Sequence, residues 1–327
     1  EPVMHRSEAS PFQAQQFPYV LSENVVDVLD GGREFNHGKP PDEISFNGAN
    51  LSNPRKHSPP QSMLGVAQKA WLQEKLSSSS VPWKLWGNSV GMGEWRIDFQ
   101  NLPESAGAKW PDTGYATFGD DDWSAYRHER AEVLNFIRNQ HITGVVALCG
   151  DRHAFEAALV APSLPPKTFE PVIAEFVTGS ISAPGLFEAA EYSLPKDHPL
   201  RAIYLHQSSA ERTIQPAVNF SMMHGVRASL ALKRTGDVRQ ALAERNPQLA
   251  PHLSFIDLGG HGYSVVRATS DELEVEFVCI VRPLERSDRA DGGPLAYRVV
   301  HRVKRWMHDA VPRIERTKVE GTLPLVV

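Results

Sequence analysis

Four residues, Gly150-Asp151-Arg152-His153, follow directly on an apolar run, Ile142–Cys149. A carboxylate and an imidazole at positions i and i+2 face the same side where a chain leaves a sheet. In open α/β sheets that carboxyl edge is where ligands bind. Carboxylate plus imidazole is a mixed hard and borderline donor pair, suited to iron, zinc or manganese. The competing reading is a Gly-Asp turn that merely closes the strand, with His153 on a loop. A second acidic group, Asp120-Asp121-Asp122, precedes Trp123. Read alone, it caps a helix and complements the helix dipole. Three adjacent carboxylates also repel one another, and a hard divalent cation relieves that repulsion.

Two more segments have chemical character. Gly259-Gly260-His261-Gly262-Tyr263 sets one imidazole among three glycines, where backbone can approach a ligand closely, or where the histidine is incidental. Val177-Thr178-Gly179-Ser180-Ile181-Ser182 is rich in Gly and Ser but is not the G-x-S-x-G of a nucleophile elbow. No phosphate-binding P-loop, no G-x-G-x-x-G and no paired C-x-x-C occurs. Cys149 ends an apolar run and reads as a buried, inert thiol.

The elements that must position these residues follow from hydropathy. Apolar runs bounded by turn residues predict strands at 24–30, 83–89, 142–149, 172–178, 253–258, 263–268 and 273–280, the last two joined as a hairpin. Helical spacing predicts helices over 65–76, 123–139, 237–244 and 297–310. Segments 31–62 and 95–122 read as long loops, which in a compact domain are usually functional or disordered. Strands alternating with helices, then a hairpin, predict an α/β or α+β layered fold.

Composition sets the outer limits. The chain has 327 residues with 41% hydrophobic and 22% charged, the balance of a globular protein. Its net charge of −5 argues against a nucleic-acid-binding module. No apolar run approaches the ~20 residues that span a bilayer. Two cysteines cannot form a disulfide framework. The 25 prolines point to long ordered loops.

Taken in order, the motifs resemble the alkaline phosphatase D family of metallophosphoesterases. The ordered set is Leu64-Gly65-x-x-Gln68-x-x-Trp71-Leu72, Trp83-Lys84 with Asn88, Asp121-x-Trp123-x-x-Tyr126-x-x-x-Arg130, Gly150-Asp151-x-His153, Gly179-Ser180-Ile181-Ser182 and His261-Gly262-Tyr263. The resemblance runs from about Asn24 to about Ile280. It implies a four-layer αββα sandwich with a two-metal site between the sheets. It implies Asp151, His153 and Asp121 as metal ligands, and His153, Asn88 and His261 as catalytic-site residues. The implied cofactors are two metal ions, iron and calcium, with zinc and manganese as alternatives. The implied activity is phosphomonoester or phosphodiester hydrolysis in a periplasmic or secreted setting. Rival readings are a phosphotriesterase or phospholipase on the same scaffold, and a non-catalytic subunit that kept the fold.

The sequence departs from the family in places. Asp30-Gly31-Gly32-Arg33 stands where the family has Asp-Thr-Arg, and Ser124-Ala125 where it has Asp-Gly. The family's upstream metal motifs do not occur, and Glu1-Pro2-Val3 resembles the chain just after them. The expectation is therefore that residues 1–288 form the C-terminal portion of a catalytic domain, incomplete without an upstream fragment of that domain as partner. Residues 289–327 are expected to form a helical tail or a lid, with Arg302, Lys304 or Arg305 drawing in anionic substrate.

Overall fold

The computed structural model describes residues 11–12, 14, 16–17, 20–118, 121–206, 214–284, 286–307 and 310–324. Glu1-Pro2-Val3, Asp120 and positions 308–309 of the expected C-terminal helix lie outside them. The first elements are β1 (Val20–Ser22), α1 (Glu23–Gly31), α2 (Phe35–Gly38), β2 (Glu43–Phe46), β3 (Ala49–Ser52), α3 (Gly65–Ser78), β4 (Lys84–Val90), β5 (Arg96–Ile97) and β6 (Ala116–Phe118). Next come α4 (Arg127–Asn139), β7 (Val145–Gly150), β8 (Phe155–Val160), β9 (Ile173–Val177), α5 (Leu186–Ser193), α6 (Arg201–Tyr204), α7 (Ala217–His224), α8 (Val226–Thr235) and α9 (Val238–Ala243). The chain ends with β10 (Leu253–Asp257), β11 (His261–Ala268), β12 (Glu272–Ile280), β13 (Leu295–Lys304) and β14 (Glu315–Gly321).

The fold is mixed α/β. The larger sheet has the order β10-β8-β9-β7-β4. Its β4-β7-β9 half is parallel, and β8 and β10 join antiparallel. The smaller sheet is the antiparallel meander β11-β12-β13-β14. The sheets stack through aromatic side chains. Phe155, Phe176 and Phe255 of the larger sheet meet Phe277, Tyr297 and His301 of the smaller, with Phe155 and Phe277 centroids 4.9 Å apart. On the other face of the larger sheet, α3 and α4 pack Leu72, Leu76, Val133, Leu134 and Ile137 against Val145, Ala147, Ile173 and Val177. At the start of β4, Trp83 donates its indole N–H to the Thr269 carbonyl in the β11–β12 turn, 2.6 Å away, which ties the two sheets together. The outer face of the smaller sheet carries paired charges, among them Arg302–Glu274 at 2.8 Å and Arg267–Glu276 at 3.2 Å.

Two of the expected elements take a different form. Segment 24–30 is helix α1, not a strand. The Ser22 hydroxyl caps it by accepting from the Asn24 and Val25 amides, and Val25, Val26 and Leu29 bury one side. Leu295–Lys304 is the inner strand β13, not an amphipathic helix or lid. Tyr297, Val299, His301 and Val303 alternate inward, and of the residues that suggested a helix Val303 also fits this period. Hydrogen bonding to β12 and β14 settles the strand, and Arg302 pairs with Glu274 across that sheet. The loop 31–62 contains the β2–β3 hairpin.

Candidate active site

The parallel strands β4, β7 and β9 end at one edge of the larger sheet. Val90 is in register with Gly150, and the Thr178 amide donates to the Cys149 carbonyl at 3.0 Å. The loop after β9 reaches the second sheet, where the Gly262 amide donates to the Ser180 carbonyl at 2.8 Å. Gly185 passes close to the carbonyls of Leu258 and His153, leaving no room for a side chain on the Leu258 side. Three of the segments singled out from sequence, 150–153, 177–182 and 259–263, therefore meet at this edge.

Asp151 is exposed and His153 half-buried. Both take the left-handed backbone region, with φ of 66° and 51°. That conformation costs a non-glycine residue about 1 kcal/mol or more, so surrounding structure must impose it. His153 Nδ1 lies 2.7 Å from the Pro184 carbonyl. A carbonyl only accepts, so Nδ1 carries a proton and, in the neutral ring, the Nε2 lone pair is free for a ligand bond. Second partners of this kind orient metal-binding histidines generally.

Between these two residues, Arg152 turns inward and is buried. Its guanidinium contacts Asp122 Oδ2 through Nη2 at 2.7 Å and Nε at 3.0 Å, Glu156 Oε2 at 2.9 Å and the Gly91 carbonyl at 3.0 Å. It also lies 4.7 Å from the Trp95 ring centroid, a cation–π contact. Glu156 accepts the Trp95 indole N–H at 2.6 Å, and Glu175 accepts the Met92 and Gly93 amides at 2.7 and 2.8 Å. Burial raises the Glu156 carboxyl to about 7, with Arg152 opposing the shift and Glu175 adding to it. Cys149 sits 3.4 Å from Glu175, and burial with that neighbouring charge pushes its thiol far above the ordinary range, so it is inert.

The acidic run resolves into two roles. Asp122 is buried on Arg152 and also accepts the Ser124 amide at 2.7 Å. Asp121 is exposed beside it. The Asp122–Arg152 pair thus sets Asp121 next to the Asp151–His153 loop. Trp123 and Arg130, the other residues of that motif, are fully buried, Trp123 edge-on to Trp86 and Arg130 on Glu94. Asn88, near the carboxyl end of β4, has a buried amide nitrogen with no partner among the described residues. His261 is buried, with Nε2 2.9 Å from Glu188, and Glu188 also binds Arg282 at 2.7 Å. His261 Nδ1 has no partner among the described residues.

Asp151 and His153 are the right kinds of donor for a metal ion. Among the described residues, no three His, Cys, Asp or Glu side chains converge on one point. A cavity of about 770 Å³ lined by Phe99, Gln100, Lys109 and Trp110 includes none of these residues. The sequence reading missed Arg152, Asp122, Glu156 and Glu175 as a group. The available signal was one glutamate inside each of two apolar strands, FEAALV and IAEFV.

A family model described as PhoD-like phosphatase matches residues 26–277. Alkaline phosphatase D of Bacillus subtilis (strain 168) is 26% identical over 144 residues, which is 44% of this chain and 22% of that protein. The chain thus matches about a fifth of that relative's length. A solved structure titled "Structure of PhoD" is 20% identical, covering 80% of this chain and 36% of that one, with a TM-score of 0.48. No helix of the described residues is long and apolar enough to cross a membrane. With the matched region taking in the greater part of its length, the chain belongs to the PhoD-like phosphatase family.

Proposed function

We propose that this chain carries part of the active site of a metal-dependent phosphoester hydrolase, acting on phosphomonoesters or phosphodiesters. One observation carries the reading: Asp151 and His153 stand at the carboxyl edge of the parallel strands, with the His153 proton held at Nδ1 by Pro184. Asp151 and His153 Nε2 are the proposed metal donors, and Asp121, a second carboxylate, lies on the loop that Asp122 ties to Arg152. The Pro184 carbonyl orients the imidazole and fixes its tautomer. Asn88 and His261 border the same edge, and His261 is held by Glu188. When bound, the metal ions supply an activated hydroxide and stabilise charge on the phosphoryl oxygens. The family resemblance supports iron and calcium, with zinc or manganese as alternatives, and a periplasmic or secreted setting. The remaining donors are proposed to come from an upstream segment of the same catalytic domain, since the described residues bring no three together.

That same lack of a three-donor cluster favours a second reading, a non-catalytic subunit that kept the fold. One experiment separates them. Asp151→Asn and His153→Ala are made in the full-length protein. Metal content is then measured together with hydrolysis of aryl phosphate mono- and diesters. The hydrolase reading expects bound metal and nearly all activity to disappear in both, with unchanged circular dichroism. Metal stoichiometry equal to wild type in both variants overturns the assignment.

A further inference from the structure

Three observations meet on Arg152. Its side chain is 3% exposed, and its guanidinium makes four contacts, to Asp122, Glu156 and the Gly91 carbonyl. The residues on either side, Asp151 and His153, both hold left-handed backbone, which non-glycine residues adopt only when something fixes it. A Cβ added at Gly91 would sit 2.5 Å from Arg152 Nε, so the guanidinium runs through a space that only a glycine leaves open. The side chain between two outward-facing candidate ligands is thus locked into the interior. Its carboxylate partner, Asp122, adjoins the third candidate, Asp121.

We infer that the buried Asp122–Arg152 pair is a positioning device that holds the 151–153 turn, and with it the two candidate donors Asp151 and His153, in place. Neither residue of the pair faces the ligand. Arg152 anchors the turn from the interior, while Asp151 and His153 on either side of it keep left-handed backbone. The pair is bidentate through one carboxylate oxygen, so its geometry transmits small shifts of one loop to the other. A lysine would keep the charge and lose that fork. This inference rests on the proposed function, because the device matters only if Asp151 and His153 bind metal.

The test uses the full-length protein, depleted of metal and titrated with Co2+, read by visible absorption. Asp151→Asn marks the transition that belongs to this site. Asp122→Asn is expected to weaken that transition by about tenfold to a hundredfold, the range seen for groups that orient ligands. Near-ultraviolet circular dichroism should stay native, and Asp122→Glu should recover part of the affinity. A folded Asp122→Asn protein with wild-type Co2+ affinity overturns the inference. If Asp122→Asn does not fold, Arg152→Lys takes its place: weakened Co2+ binding with a native spectrum supports the inference, and unchanged binding overturns it. A wild-type protein with no Asp151-dependent Co2+ transition overturns the proposed function instead, so the two failures are told apart.

Discussion

Strands β8 and β9 send alternate side chains into two different interiors. Phe155, Ala157 and Phe176 point toward the smaller sheet, while Glu156 and Glu175 point toward the helices, and all five are essentially unexposed. The first interior is aromatic and held by packing. The second is ionic, with Asp122, Glu156 and Glu175 sharing the cation of Arg152. Buried ion groups of this kind are weak sources of stability, since desolvation offsets most of their attraction. Removing one partner is nonetheless severe. The aromatic interior therefore serves the fold, and the ionic one holds loops in place at the cost of fragility.

Breaking the ionic side should have the largest effect. Arg152→Met leaves three carboxylates without their shared cation, and the expected loss is about 4 kcal/mol. Metal binding should fall with it. Urea midpoints check the first, and a loss below about 1 kcal/mol would contradict the assignment of this pair as a buried, fully desolvated contact. On the aromatic side, Phe277→Ala removes the ring that touches Phe155, Phe176, Phe255 and His301. Its expected cost is about 3 kcal/mol, from lost burial plus a cavity. Co2+ affinity should be unchanged, and a parallel loss of affinity would erase the distinction between the two faces.

The smallest effect sharpens the comparison through pH. Burial between the sheets, with Arg316 nearby, pushes the His301 imidazole down to about 3. The unfolded chain takes up this proton below about 6.5, and the folded chain only near the lower value. Stability present above the unfolded value is therefore lost as pH falls from there toward 3. By pH 5 the loss from this residue, relative to neutral pH, is about 2 kcal/mol. His301→Leu should flatten the dependence of unfolding free energy on pH in that window. An unchanged slope would show that His301 is not the group responsible.

The sequence made the strands and the motif visible more readily than what lies beneath them. Runs such as Ile142–Cys149 and the hairpin of β11 and β12 are locally unambiguous, and Gly150-Asp151-x-His153 stands out because it ends such a run. Strand β8 was missed because FEAALV follows a turn and carries a charge in its second position. Its burial depends on Arg152 and Trp95, which no local pattern reveals. Segment 295–304 offers Val300 and Val303 to a helical period and Tyr297, Val299, His301 and Val303 to an extended one, and pairing with the neighbouring strands decides between them. Asp122 and Asp121 look alike in the sequence. One is a buried partner of Arg152 and the other is exposed, a difference set by how loops approach in space.

The charged outer strand of the smaller sheet has a consequence of another kind. β14 is exposed along its whole length and carries Glu315, Arg316, Lys318 and Glu320. An open sheet edge is a template on which a foreign chain can add. An incoming strand would have to seat its residues beside closely spaced charges of both signs, some already satisfied, as Lys304–Glu315 is at 3.6 Å. That makes β14 a poor seed for aggregation, and it lets the sheet end in solvent without a helix or loop to cover it.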